Sequence, residues 1–176
     1  ATARQGRGGS DYTGVATAAA DNELETRGDG GAFREGPASG DGLCDRPLRP
    51  IDTGTEFAEG LLDLAAITGE NRYREAAIDA VEAFAGAWDR IGVQVAHYGS
   101  IAARLTGGDL VVDVGDPAGS DLHRAALRIA DHEAVIVPDA ADVEPGTAHV
   151  RGSDTAATTP EELMAQVSES IEPPAT

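Results

Sequence analysis

The chain has 176 residues, enough for one ordinary domain with its own core, and its 41% hydrophobic content predicts that most of it folds although only 4% is aromatic. Acidic residues number 31 against 13 basic ones, a formal net charge of −18, and every basic residue is arginine. That balance excludes a nucleic-acid partner, which needs a basic stripe, and an anionic membrane surface for the same reason.

A surface so rich in one charge repels itself in dilute salt. At molar salt the Debye length falls to about 3 Å and the repulsion is screened. The acids are spread over the predicted helices and not blocked into a tail, so the chain resembles a haloarchaeal protein suited to a salt-loaded cytoplasm. The rival is an acidic, chaperone-like surface. Cys44 is the one cysteine, which excludes an internal disulfide and fits a reducing compartment. No apolar run approaches the ~20 residues of a membrane span, and no charged-then-apolar leader opens the chain. A cytoplasmic protein is expected. The start at Ala1 without Met implies processing or a piece of something longer.

Residues 1–42 are Gly-rich with almost no large apolar side chains. They predict a loose, flexible arm carrying one short helix around Val15 to Leu24, with Phe33 as its anchor. A helical hairpin region over 43–108 follows. Thr53 and Glu56 read as a capping box, and Phe57, Leu61, Leu64 and Ala65 form one stripe that Gly69 ends. Asn71 opens a second helix whose buried face is Tyr73, Ala77, Ala80, Phe84 and Trp88. The short link makes the two antiparallel neighbours. A third helix runs from about Gly92 to Leu105 with Val93, His97, Ile101 and Leu105 on one face.

The period then changes. Residues 109–176 predict a small α/β tail: a strand "LVVDVG", a helix capped by Ser120 carrying Leu122, Ala126, Leu127 and Ile129, and a strand "EAVIVPD". Strand, helix and strand with short links make a parallel βαβ unit. "TAHVRG" is a candidate third strand. Thr159, Pro160 and Glu162 form a capping box with proline at the first helical position, and Leu163, Val167 and Ile171 give the last helix its stripe. The fold class is therefore mixed α and α/β, a helical hairpin layer followed by a small βαβ-containing tail.

Chemistry is sparse. Without lysine there is no P-loop and no Schiff base, and "VGDPAGSDL" lacks the Gly-x-Gly-x-x-Gly turn of dinucleotide sites. It reads as an ordinary strand-to-helix loop in which Asp113 and Asp116 would repel a phosphate. His97, His123, His132 and His149 have no metal-ligand spacing, so neither metal nor cofactor is expected. His97 reads as a partly buried, hydrogen-bonded histidine and His123 as a solvated one. Cys44, followed by Asp45, reads as incidental. The loop "RPLRPID" offers Arg46, Arg49 and Asp52. These either hydrogen-bond sugar hydroxyls or an acidic group, or Arg49 and Asp52 pair and order the loop.

"DRPLRPIDTGTEFAEGLLDLAAITGENRYREAAIDAVEAFAG" resembles the last helical hairpin of the thioredoxin-domain family related to spermatogenesis-associated protein 20, in its haloarchaeal form. "GAFREGPASGDGLCDRPLRP" is similar to that family's glycine–aromatic lead-in, and "GGDLVVDVGDPAGSDLHRAALRIADHEAVIVPD" to its closing α/β tail. The resemblance covers roughly residues 30–172. It implies a C-terminal part of a protein with a thioredoxin-like domain and a six-hairpin, glycosidase-like toroid, whose parts imply redox and carbohydrate roles. Two departures weigh on transfer. "PIDTGT" replaces the family's Pro-Ser-Gly-Asn-Ser stretch, and "VRGSDTAATTP" lacks the cysteines common in its tail, so no redox role carries over. The expectation is a structural or interaction part that is not catalytic by itself, with a protein partner or second copy covering the helical face. The alternative is a remnant of an epimerase- or glycosidase-like carbohydrate site using Asp52 with Arg46 or Arg49.

Overall fold

A computed structural model of the chain describes residues 10–27, 31–34, 48–86, 96–129 and 133–171. Within these the fold is mixed: six helices and one three-stranded sheet. Two compact units divide at Gly108 and Asp109, the first being Gly14–Gly108 and the second Asp109 onward with the described residues before Gly14.

The helical unit holds α1 (Ser10–Thr26) from Gly14 on, together with α2 (Ile51–Thr68), α3 (Asn71–Ala85) and α4 (Ala96–Gly107). Gly69 ends α2 in the left-handed conformation (φ 74°), and its N–H donates to the Ala65 carbonyl at 2.8 Å. After Glu70 the chain turns back as α3. The contacts fix the helix directions. Tyr98 of α4 donates to the Val81 carbonyl and Arg74 of α3 to the Leu105 carbonyl, so α3 and α4 run antiparallel. Glu59 pairs with His97 and Asp63 with Arg104, so α2 and α4 run the same way. Leu61, Leu62, Ala58, Tyr73, Ala77, Ala80 and Ile101 are all but fully buried between them. Phe57 and Ala65 of the expected stripe are half-buried, as are Phe84 and Leu105. Trp88 and Val93 lie outside the described residues.

The first segment departs from the expectation of a loose arm where it is described. α1 has 17 residues, longer than the short helix predicted, and it docks on α3. Ala20 is buried and Leu24 packs on the same core. Tyr73 donates to Asp21 Oδ1 at 2.9 Å and Arg72 reaches the same carboxylate. Arg27 pairs with Asp79 at 2.6 Å, so α1 runs parallel to α3. Phe33 is the anchor expected: it is 2% exposed, its ring centroid 4.2 Å from that of Phe57. Burial first, then the bond to Asp21, push the Tyr73 hydroxyl above its ordinary pKa. Tyr73→Phe keeps the ring and removes the bond. It is expected to cost about 0.5–1.5 kcal/mol and to raise amide exchange along α1 more than along α2, read by hydrogen exchange.

In the second unit β1 (Val111–Val114) pairs parallel with β2 (Val135–Pro138) and antiparallel with β3 (Ala148–Val150), in the order β2-β1-β3. The short α5 (Asp121–Ala126) links β1 to β2, and α6 (Pro160–Ile171) follows β3. Val112 and Val114 of β1, Ile136 of β2 and Ala148 and Val150 of β3 share a core with Leu122, Ala126 and Ile129 and with Leu163 and Val167 of α6. Leu127, expected with them, is 38% exposed because α5 stops at Ala126. On the opposite sheet face Arg151 grips Asp113 with two bonds, 2.7 and 2.9 Å. Both caps predicted for this unit are present. Ser120 accepts from the His123 N–H at 3.3 Å, and Thr159 from the Glu162 N–H at 3.2 Å. The Glu162 carboxylate, bonded by Thr158 and Thr159, sits below its usual pKa.

Candidate functional site

Of the loop singled out in the sequence, Arg49 and Asp52 lie among the described residues. Helix α2 starts three residues earlier than the Thr53 and Glu56 signal implied. Pro50 takes the N-cap place at φ −67° and ψ 141°, with no side-chain cap bond, and its carbonyl accepts the Gly54 N–H at 3.1 Å. Proline's fixed φ suits this entry, and it won over the capping box downstream. Asp52 thereby becomes an exposed first-turn residue of α2, where a carboxylate faces the positive end of the helix dipole. Arg49 reaches away and donates to the Ala32 carbonyl at 3.3 Å. It thus ties the segment holding Phe33 to the mouth of α2. The mutual pairing of Arg49 with Asp52 gives way to this longer-range contact. Arg46 and Cys44 lie outside the described residues.

The first turn of α4 lies beside the middle of α2, with the two helices running the same way. There His97 Nε2 lies 3.1 Å from Glu59 Oε2, and the two side chains are 41% and 27% exposed. This matches the partly buried, hydrogen-bonded histidine expected. One turn farther along α2 the seam is closed by Asp63 and Arg104, 2.9 Å apart, with side chains only 9% and 4% exposed. Sequence reasoning missed this pair. Its signal was the lone acid inside "LLDLAA", which stood on the apolar side of α2.

No family model, no curated protein and no solved structure matches the chain. Among the described residues there is no group of three or more His, Cys, Asp or Glu able to hold a metal ion. No described helix is long and apolar enough to cross a membrane.

His123 corrects the other expectation. It is not solvated but 6% exposed, and its Nδ1 accepts the Gly119 N–H at 3.0 Å. The β1–α5 loop wraps back over the start of the helix and covers it. His149 is half-buried with Nε2 2.6 Å from the Ser153 carbonyl, and His132 lies outside the described residues. Asp116, expected to repel an anion, instead accepts the Gly146 N–H at 2.7 Å. His123, His149 and Asp116 are each bonded to a backbone group.

Proposed function

We propose that this chain is a structural and interaction part of a larger thioredoxin-domain, six-hairpin-toroid type of assembly, not catalytic by itself, with its acidic surface adapted to molar salt. The architecture supports the reading: antiparallel helices joined by a two-residue link precede a small α/β unit, the order the resemblance implies. The observation that carries the interaction role is on α1. Val15 is 69% exposed, Ala16 and Ala19 are exposed, and Tyr12 one turn earlier is 73% exposed. These residues fall at i, i+3, i+4 and i+7, so α1 turns an apolar stripe outward while Ala20 and Leu24 face inward. The α2–α3 hairpin is covered by the chain's own α1 and α4, so the partner-facing surface is the outer side of α1 and not the hairpin itself.

Small side chains let a second helix approach closely, near the 8–10 Å spacing of packed helices. In the isolated chain that helix is α1 of a second copy, which meets it at high salt once like charges are screened. Light scattering in molar potassium chloride is expected to give a dimer or larger species for the wild type and a monomer for Val15→Asp, with unchanged circular dichroism. A wild type that stays monomeric at hundreds of micromolar would overturn the interaction role of this face.

A further inference from the structure

His123 sits at the third position of α5, where the strand-to-helix loop closes over it. A ring nitrogen that accepts a hydrogen bond carries no proton. The Gly119 N–H pointing at Nδ1 from 3.0 Å therefore fixes the neutral ring with its proton on Nε2. That Nε2 is buried and has no hydrogen-bond partner among the described residues. The same loop is held by the Ser120 cap and by the bond from Gly146 to Asp116. Two charged groups act on the ring: Arg124 on α5, and Asp139, which follows β2 in a left-handed conformation (φ 53°); α6, which packs on α5, carries Glu161 and Glu162 in its first turn. Burial first, then Arg124, hold the imidazole below its ordinary 6.5, while Asp139 pulls the other way.

We propose that His123 is an acid-operated latch on the β1–α5 turn. A proton added at Nδ1 turns the acceptor into a donor facing the Gly119 N–H. Two donors cannot share that contact, and the cationic ring gains no partner at Nε2. The Gly119 bond and the Ser120 cap then release together, freeing the start of α5. The opened turn exposes a ring of ordinary pKa and binds more protons than the closed one. The latch is therefore fully held above pH 6.5 and loosens as pH falls below it.

The test is the amide protection of Gly119 and His123 in the full chain, followed by nuclear magnetic resonance at fixed molar salt from about pH 7.5 to about pH 5. Protection is expected to be lost at these two amides while the Leu163 and Val167 amides of α6 stay level. His123→Asn presents an oxygen acceptor near the place of Nδ1 and does not titrate, so its protection should not respond to pH. Flat protection in the wild type, or an equal loss in His123→Asn, would overturn the latch. Should the variant not fold, the ring nitrogen shifts of wild-type His123 decide. Titration below 6.5 with Nδ1 unprotonated at neutral pH supports the latch, and titration at or above that value refutes it.

Discussion

Arg104→Ala is expected to cost about 3–5 kcal/mol, a large share of the roughly 5–15 kcal/mol that holds an ordinary domain together. The guanidinium lies between α4 and α2 with its side chain 4% exposed, 2.9 Å from an Asp63 carboxylate that is itself 9% exposed. Removing the arginine takes the counter-charge from a buried carboxylate, and the penalty is dominated by desolvation rather than by the lost attraction. Thermal unfolding at constant molar salt should show the loss as a lower midpoint. Burial also shields the pair from added ions, so the loss should persist in high salt. An exposed pair such as Arg72 with Glu70, whose side chains are 49% and 46% exposed, should contribute little there. The double variant Asp63→Leu with Arg104→Met should recover most of the stability, because it leaves no buried charge without its counter-charge. A single-variant loss below about 1 kcal/mol would show that the pair behaves as a surface contact.

Gly115→Ala should be the most damaging single methyl in the α/β unit. A Cβ at that position would lie 2.2 Å from the Glu144 carbonyl oxygen, 2.7 Å from its carbon and 2.8 Å from the Val143 oxygen. All three are backbone atoms, so none can swing aside as a side-chain tip would. The Gly115 N–H also donates to the Thr147 carbonyl at 3.0 Å, and Thr147 directly precedes β3. Relieving the overlap therefore means lifting the 143–147 turn and loosening the β1–β3 ladder. A loss of about 1–3 kcal/mol or more is expected, seen as a lower unfolding midpoint and faster amide exchange at Ala148 and Val150. Gly107→Ala is the control, since nothing lies within 4 Å of the place its methyl would take. Equal tolerance of both substitutions would contradict the close approach.

Features written in short, strong local patterns were legible in the sequence. The α2 and α3 stripes, the Gly69 stop, the Ser120 cap, the Thr159 and Glu162 box and the three strands each depend on residues a few positions apart. What failed depended on distance in sequence or on competing signals. The docking of α1 rests on Asp21 reaching Tyr73, 52 positions away, and no local period announces it in an Ala- and Gly-rich segment. The Asp63–Arg104 pair spans 41 positions. Two start signals competed for α2, and proline prevailed over threonine. His123 was misplaced because α5 has six residues, too few for a helical period to tell which side the loop will cover. Of the candidate loop, composition revealed that Arg49 and Asp52 were present but not that they would diverge.

The most direct test of a salt-adapted interaction part is one titration of the whole chain with salt, from ~0.1 M to several molar, the range over which screening changes most. Circular dichroism would be read together with scattered-light mass. Cooperative folding that strengthens with salt is expected, accompanied by a dimer or larger mass. A fold equally stable at the lowest salt and monomeric throughout would contradict both the salt adaptation of the acidic surface and the interaction role of α1.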